Sequence, residues 1–249
     1  MRKISVIGIG AGNPDYLTLQ AVAAIAQTQV FFIPDKGEEK AALNAVRNEM
    51  LTRHAAPGHR LAGFVVPERT TIPNYAEGVA AWRAALRSAY ATLIETELSP
   101  DDTGAFLVWG DPALYDGTIG ILDDIRAAGL EIEVEIIPGI SAVQALCARH
   151  GMPLNRTGET VTITTARRVK RGEADDLTSF VVMLDSEGAW RRFIEEDAEI
   201  FWGAYVGMGE EILVAGRIAD VADEIDRVRA AAREANGWVM DSYLVRRKL

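Results

Sequence analysis

The stretch Val108-Trp109-Gly110-Asp111-Pro112-Ala113-Leu114-Tyr115-Asp116 decides the fold, because an apolar run stops there at a glycine, an acid and a proline. The run from Ala105 to Trp109 predicts a buried strand, since short apolar runs between turn signals are typical of strands covered on both faces. Gly110 permits a sharp turn and Pro112 forbids ladder pairing, so a loop must follow. Ligands of open α/β sheets lie beyond the carboxyl ends of strands, which makes this loop a candidate site.

The composition indicates a globular protein with one large domain or two of ordinary size. The chain has 249 residues, of which 49% are hydrophobic, and a formal net charge of -10. That charge argues against nucleic acid as a general partner, because phosphate binding needs a basic face. We expect no signal peptide and no membrane-spanning segment. The single cysteine, Cys147, lies among apolar neighbours, which favours a buried thiol and a cytoplasmic location.

The first strand, predicted from Ile4 to Ile9, runs into a glycine-rich turn. This turn reads Gly8-Ile9-Gly10-Ala11-Gly12-Asn13-Pro14, which is GxGxG rather than the GxGxxG of a dinucleotide fingerprint. Alternate glycines let another group approach the backbone closely. A nicotinamide site with Asp35 as the ribose-binding acid stays open as an alternative, and so does a purely structural turn.

A second strand end carries a helix start. Ile132 to Ile137 is predicted to be a strand, and Pro138-Gly139-Ile140 follows it. Ser141 and Gln144 have the spacing of a capping box, so a helix N-terminus with free amides is expected at the strand's carboxyl end. Two strand-end loops therefore point towards one edge of the sheet.

The remaining patterns set the domain organisation. Helices are predicted from residue 36 to 51 and from Asn74 to Leu98, where Asn74 and Glu77 have capping-box spacing, with a loop from Arg53 to Arg60 between them. The glycines and proline of residues 151–158 predict a link between domains. We therefore expect an N-terminal α/β domain, 1–152, with a mainly parallel sheet, and a C-terminal α/β domain, 153–249, with a mixed sheet.

Taken together and in order, three motifs resemble one family, the tetrapyrrole (corrin and porphyrin) methyltransferases. The motifs are Gly8 to Gly12 with Leu17-Thr18, Gly110-Asp111-Pro112 with Tyr115, and Pro138 to Ala142. The resemblance implies two α/β domains with S-adenosylmethionine held in a cleft between them and S-adenosylhomocysteine as product. It also implies an anionic tetrapyrrole substrate, a homodimer and no metal.

The resemblance also implies which residues hold the cofactor. In relatives these are the turn after the first strand, the Gly-Asp-Pro loop, the residues that open the helix after Pro-Gly, and a methionine of the second domain. A backbone contact near Ala204 is further implied. The corresponding residues here are Ala11, Trp109, Gly110, Asp111, Leu114, Ser141, Ala142, Met183 and Ala204.

A finer match within the family points to a member that also removes an acetyl group from its substrate. Deacetylation requires a group that activates water, and a carboxylate in a partly dry site suits that role. Asp116 is the first hypothesis, with Tyr115 donating to the developing oxyanion, and Asp185 is the second. Helix capping is the structural alternative for Asp116. The finer match rests on residues 109–116, 183–185, 202–205 and 237–244.

The many carboxylates of such a substrate require cations. Candidates are Arg167, Arg168 and Lys170 in a basic run, together with Arg53 and Arg60. Three other functions stay open at this point: a sister methyltransferase that acts at another ring carbon without deacetylation, a nicotinamide oxidoreductase, and a non-catalytic tetrapyrrole carrier.

Overall fold

The computed structural model describes residues 1–35, 41–67 and 75–247 and has an α/β fold with two sheets. Its contacts divide the chain into two compact units, Met1–Ile140 and Ser141–Leu249. Within the described residues, no helix has both the length and the apolar character needed to cross a membrane.

The first unit is built on a parallel sheet. Its strands are β1 Arg2–Gly8, β2 Val30–Asp35, β3 Arg60–Val65, β4 Thr103–Val108 and β5 Ile132–Ile137. They lie in the order β3-β2-β4-β1-β5, and every pair is parallel. The predicted strand before Gly110 is therefore confirmed as β4, which lies between two neighbours and is buried at all but its first residue.

Helices cover both faces of this sheet. They are α1 Leu19–Gln27, α2 Ala41–His54, α3 Tyr75–Glu97 and α4 Thr118–Ala127, with a short 3-10 helix at Pro14–Tyr16. Residues of α1 and α2 pack in one core cluster, and residues of α3 and α4 pack in a second cluster on the opposite face. The helices that follow the adjacent strands β2 and β4 therefore leave the sheet on opposite faces. Such a reversal opens a crevice at the carboxyl ends of the strands.

Local sequence signals explain where several of these elements begin. The Thr18 hydroxyl accepts a hydrogen bond from the amide of Ala21 at 3.0 Å and caps α1. β5 has the predicted bounds, and α4 begins at Thr118. Strand β3 was not predicted from the sequence. The predicted loop from Arg53 to Arg60 overlaps this strand only at Arg60. Residues 36–40 of one predicted helix and Asn74 of the predicted capping box lie outside the described residues.

The second unit contains a mixed sheet. Its strands are β6 Thr162–Thr165, β7 Ser179–Met183, β8 Ala198–Ala204, β9 Ile212–Arg217 and β10 Asp241–Arg247, and they lie in the order β6-β7-β10-β8-β9. β6 and β7 are parallel, and the other pairs are antiparallel. The helices are α5 Ala142–Arg149, α6 Ala166–Lys170 and α7 Ile218–Asn236, with a 3-10 helix at Ala189–Phe193.

The boundary between the units lies earlier than the sequence suggests. The predicted link at 151–158 falls inside the second unit, because α5 already packs there. Leu146 of α5 lies against Gly203, and the imidazole of His150 lies 3.1 Å from the carbonyl oxygen of Trp202. These contacts tie the helix to β8. The glycines of 151–158 therefore serve turns within a unit.

Candidate functional site

Three strand-end turns of the first unit meet one another. Gly10, after β1, and Gly110, after β4, exchange two backbone hydrogen bonds of 3.2 and 2.8 Å. Asp111 then reaches the turn after β5, where its Oδ2 accepts the amide of Gly139 at 2.9 Å. The carboxyl ends of β1, β4 and β5 are thus joined into one rigid edge that includes the predicted residues Ala11, Gly110 and Asp111.

Glycine is needed at two positions of these joined turns because a side chain would not fit there. A Cβ on Gly139 would lie 2.1 Å from the carbonyl oxygen of Gly110, and a Cβ on Gly8 would lie 2.6 Å from the amide nitrogen of Gly139. From the sequence, the alternate glycines were expected to let another group approach the backbone closely. At Gly8 the group that approaches is the protein's own backbone.

The carboxylate of Asp111 organises the loop that follows β4. Its Oδ1 accepts the amide of Ala113 at 2.8 Å, while its Oδ2 holds Gly139. In the same loop, Pro112 is buried and Leu114 is partly buried. An acid at this position therefore shapes two loops at once, which gives it a structural part in any site they form.

The end of this loop exposes the two predicted catalytic side chains. Tyr115 is 46% exposed and adopts a left-handed backbone conformation, with φ of 54°. Asp116 is also exposed, and its Oδ1 accepts the amide of Thr118 at 2.7 Å. Asp116 therefore holds the first amide of α4, although the N-cap residue itself is Gly117, and this contact occupies one of its two carboxylate oxygens.

In the second unit, the helix start that was predicted at Ser141 is confirmed. The Ser141 hydroxyl accepts the amide of Val143 at 3.1 Å, and the Gln144 side chain accepts the amide of Ser141 at 3.1 Å. Ser141 is buried and Ala142 is partly buried at the first turn of α5. The first turn of this helix thus has a fixed geometry and a positive dipole end.

Met183 and Ala204 lie at one edge of the second sheet. Met183 ends β7 and pairs with Ser242, and Ala204 ends β8 and pairs with Asp241. They therefore flank the first residues of β10. Met183 is partly buried and Ala204 is fully buried, so Ala204 can offer a ligand only its backbone.

Strained backbone follows three of the predicted cofactor residues directly. Within the described residues, the non-glycine positions with positive φ are Tyr115, Leu184 and Tyr205. They come directly after Leu114, Met183 and Ala204. A left-handed backbone at such side chains costs roughly 1 to 3 kcal/mol and is found preferentially at functional sites. No sequence signal marks these positions.

Asp185, the second catalytic hypothesis, is enclosed in the core of its unit. Its side chain is 4% exposed and accepts the amides of Glu187, Gly188 and Ala189. The hydroxyl of Tyr243 donates to its Oδ2 at 2.8 Å. Four donors occupy both oxygens, an arrangement that favours a structural role.

A second buried acid was missed by the sequence analysis. Asp241 is 5% exposed, and its Oδ2 accepts Nε of Arg229 at 2.9 Å and Nε1 of Trp202 at 3.1 Å. Burial raises the pKa of Asp241 to about 6, against the opposing effect of the Arg229 charge. The network holds β8, β10 and α7 together behind Ala204.

We expect this acid to give the protein a distinctive pH dependence of stability. The pKa of Asp241 is 3.8 in an unperturbed carboxyl and about 6 here, so the folded state binds more protons between these values. The contribution of Asp241 to stability is therefore present below pH 4 and is lost as the pH rises through 6, by about 3 kcal/mol in total. Urea unfolding of the wild type and of Asp241→Asn at several pH values checks this. The wild type should lose stability relative to the variant across that window, and parallel curves would contradict the assignment.

The cations that were predicted to meet the substrate are engaged in local pairs. Arg168 pairs with Glu173, and Lys170 pairs with Glu187. Arg53 pairs with Glu49 and lies near Asp15, and Arg60 pairs with Glu97. All are exposed, so these pairs are weak and can exchange for another anion. Arg167 also has a partner in the structure.

No metal-binding cluster is present within residues 1–35, 41–67 and 75–247: nowhere in these ranges do three His, Cys, Asp or Glu side chains converge.

Comparison with known proteins identifies the family. A sequence model of the tetrapyrrole (corrin/porphyrin) methylases matches residues 3–222. A relative from Sinorhizobium sp. named precorrin-6A synthase [deacetylating] is 46% identical over 99% of this chain and 96% of its own. The crystal structure of a cobalamin synthesis related protein, CobF, from Corynebacterium diphtheriae is 37% identical, with a TM-score of 0.86 over 99% of both chains.

A more distant structure shares the fold. Uroporphyrin-III C-methyltransferase from Thermus thermophilus, solved in complex with S-adenosyl homocysteine, is 16% identical with a TM-score of 0.59 over 98% of this chain and 97% of its own. The resemblance that the three motifs predict is confirmed by the family match and by both full-length relatives. The chain belongs to the tetrapyrrole (corrin/porphyrin) methylases.

Proposed function

We propose that this enzyme converts precorrin-5 into precorrin-6A in cobalamin biosynthesis, using S-adenosylmethionine. It removes the acetyl group at C-1 as acetate and installs a methyl group there. The support is the full-length similarity to a protein named precorrin-6A synthase [deacetylating]. The observation in the structure that carries the proposal is the joined edge of β1, β4 and β5, where Gly110, Asp111 and Gly139 meet.

The residues of this edge fit a methyl donor better than a dinucleotide. The turn after β1 departs from the dinucleotide fingerprint, and Gly8 is filled by the protein's own backbone. Tyr115, Leu184 and Tyr205 adopt left-handed backbone conformations. Such conformations cost energy at non-glycine residues and are found preferentially at functional sites.

We propose that residues of both units hold the cofactor. In the first unit these are Ala11 and the loop residues Trp109, Gly110, Asp111 and Leu114, whose backbone is fixed by the Asp111 carboxylate. In the second unit, Ser141 and Ala142 present the first turn of α5, Met183 contributes its side chain, and Ala204 contributes its backbone. S-adenosylmethionine, when bound, supplies an electrophilic methyl group and leaves as S-adenosylhomocysteine.

The chain's own residues account for deacetylation. Asp116 takes a proton from water, and the water oxygen bonds to the acetyl carbonyl carbon. Tyr115 donates a hydrogen bond to the carbonyl oxygen while negative charge develops there. The bond between the acetyl carbon and C-1 then breaks, acetate leaves, and the electron pair stays on the ring carbon. That carbon is now the nucleophile for methylation, which needs alignment more than acid or base.

Incubation with precorrin-5 and S-adenosylmethionine tests the proposal, provided that methyl gain and acetate release are followed separately. We expect both products in equal amounts. Methyl gain without acetate would instead favour the second candidate, a sister methyltransferase acting at another ring carbon. Tetrapyrrole binding with neither product would favour a carrier.

The role of Asp116 can be isolated with one conservative substitution. Asp116→Asn keeps an oxygen that can accept the Thr118 amide, so α4 stays capped and the melting temperature should not change. The variant lacks the base, and we expect acetate release to fall by about 100-fold or more. Undiminished release would remove Asp116 from the mechanism. Asp185→Asn is the comparison, and its main effect should be on stability.

The family resemblance also implies a homodimer in the cytoplasm, and we propose both for this protein. Light scattering of the purified enzyme measures the mass in solution, and a monomer at micromolar concentration would contradict the dimer.

A further inference from the structure

The first unit contains a cavity whose lining includes only one of the proposed cofactor residues, Trp109. It has a volume of about 190 Å³ and lies at the carboxyl ends of β2 and β4. Its walls come from β2, β3 and β4 and from α2, α3 and α4, and the exposed residue Asp116 also lines it. This is the place where the helices after two adjacent strands leave the sheet on opposite faces, which is where ligands of open α/β sheets bind.

One wall of the cavity is aromatic. The rings of Tyr90 and Phe106 are stacked with centroids 4.4 Å apart, and Phe64 meets Tyr90 edge-on at 5.3 Å. Burial raises the pKa of Tyr90 to about 12, so this wall stays neutral at any physiological pH. Such a surface suits an aliphatic or planar group.

A buried cation also lines the cavity. Arg47 of α2 is only 5% exposed, and its Nη1 donates to Oδ1 of Asn44 at 3.2 Å. Its Nε is buried and has no hydrogen-bond partner. No carboxylate among the residues that the structure describes pairs with it, and burial lowers its pKa. An uncompensated buried charge is strongly destabilising, so a protein that keeps one has a use for it.

A second unpartnered donor lines the same cavity. Nε1 of Trp109 is buried without a hydrogen-bond partner, although the ring itself is partly exposed. Buried N–H groups are nearly always satisfied in native structures, and two exceptions in one cavity indicate an acceptor that binds there. A guanidinium and an indole N–H that line one cavity together favour an oxygen anion as ligand.

We propose that this cavity is a carboxylate-binding subsite in which Arg47 is the principal anion-binding residue and Trp109 adds a hydrogen bond. The inference rests on the proposed function, because the natural occupant would be a carboxylate side arm of the tetrapyrrole or the acetate that is released from it. The aromatic wall packs against the carbon stem of the side arm. Arg47 thereby fixes the orientation in which the macrocycle binds to the first unit.

The test compares Arg47→Met with the wild type, using uroporphyrin III as a stable polycarboxylate probe followed by fluorescence. We expect the probe to bind about tenfold or more weakly to the variant, because a charge-assisted hydrogen bond is lost. S-adenosylhomocysteine should bind both proteins equally. The melting temperature should stay the same or rise, since methionine removes an unpaired buried charge. Unchanged probe affinity, or a fall in melting temperature without a change in affinity, would overturn the subsite.

Further variants give independent tests. Trp109→Phe removes the indole N–H and keeps an aromatic ring, and it should also weaken probe binding. Trp190→Phe is the matched control, because Nε1 of Trp190 is likewise buried and unpartnered but lies in the core of the second unit. Equal weakening in both tryptophan variants would argue against the subsite.

The source of the carboxylate is decided by adding sodium acetate alone. Stabilisation of the wild type but not of Arg47→Met, relative to sodium chloride at the same ionic strength, identifies free acetate as an occupant. Stabilisation by uroporphyrin III alone identifies the side arm. If the wild type binds the probe through Arg47 yet fails to process precorrin-5, the proposed function is wrong and the subsite stands. If Arg47→Met processes precorrin-5 as well as the wild type does and its affinity for the probe is unchanged, the subsite is wrong and the proposed function stands.

Discussion

Gly139→Ala is expected to abolish cofactor binding and to destabilise the protein by about 4 kcal/mol or more, among the largest effects of single substitutions. The new Cβ would lie 2.1 Å from the carbonyl oxygen of Gly110 and within 3 Å of the Gly8 backbone. These neighbours are backbone atoms that cannot rotate away as a side chain would. The turns after β1, β4 and β5 would have to separate, and the Asp111 contact with the Gly139 amide would break. Urea unfolding and calorimetry with S-adenosylhomocysteine measure the two effects.

Gly63→Ala is the matched control for this substitution. Gly63 lies in the edge strand β3 of the same sheet, and a Cβ there would meet no atom within 4 Å. The change from glycine to alanine in a strand should then be neutral or slightly stabilising. If both variants bind S-adenosylhomocysteine like the wild type, the joined edge is not part of the cofactor site.

Asp111→Ala is expected to weaken cofactor binding by about tenfold or more while leaving the protein folded. Alanine releases the amides of Ala113 and Gly139, each of which donates to one carboxylate oxygen. Two hydrogen bonds to a charged acceptor are lost, and we expect the free energy of unfolding to fall by about 2 to 3 kcal/mol. The loop that contains Gly110 and Leu114 loses its defined shape, which is the reason for the loss of affinity. Calorimetry with S-adenosylhomocysteine measures it.

The control for Asp111 lies at the other end of the same strand. Asp102 precedes β4, and its Oδ2 accepts the amide of Ser99 at 3.0 Å. Asp102→Ala therefore removes a similar contact between a carboxylate and the backbone at the amino end of the sheet. It should lower stability modestly and leave cofactor affinity unchanged. Loss of affinity in both variants would mean that general destabilisation, not loop geometry, is the cause.

Strands that end at a strong stop signal were predictable from the sequence. The run before Gly110 is the central, buried strand β4, the run before Pro138 is the edge strand β5, and Ser141 opens its helix as predicted. In each case an uninterrupted or alternating apolar pattern stops at a residue with a specific backbone preference. Local and tertiary preferences agree at these points.

Two edge strands without such a stop signal, β3 and β9, were not predicted. Each pairs with one neighbour, and each contains a glycine and two or more exposed residues. Their apolar periodicity is therefore weak, because half of the strand environment is solvent. The division of the chain into two contact units also depends on tertiary packing. The glycines of 151–158 resemble a linker, but contacts distant in sequence, such as Leu146 with Gly203, decide where α5 belongs.

The positions of the site's loops could be predicted from the sequence. The burial and the partners of its charged side chains could not. The resemblance pointed to Asp111, but nothing in the sequence shows that its two oxygens join loops 28 residues apart. Arg47 lies in a helix with many polar residues, and its burial depends on packing against the sheet. The pairing of Asp241 with Arg229 and Trp202 likewise joins three elements. Such properties arise from tertiary structure, which single-sequence patterns do not encode.

The most direct measurement is a calorimetric titration of the wild-type protein with S-adenosylhomocysteine and, separately, with NAD. We expect saturable binding of S-adenosylhomocysteine, which S-adenosylmethionine displaces, and no heat of binding with NAD. Saturable binding of NAD, or no binding of S-adenosylhomocysteine to folded protein, would contradict this expectation.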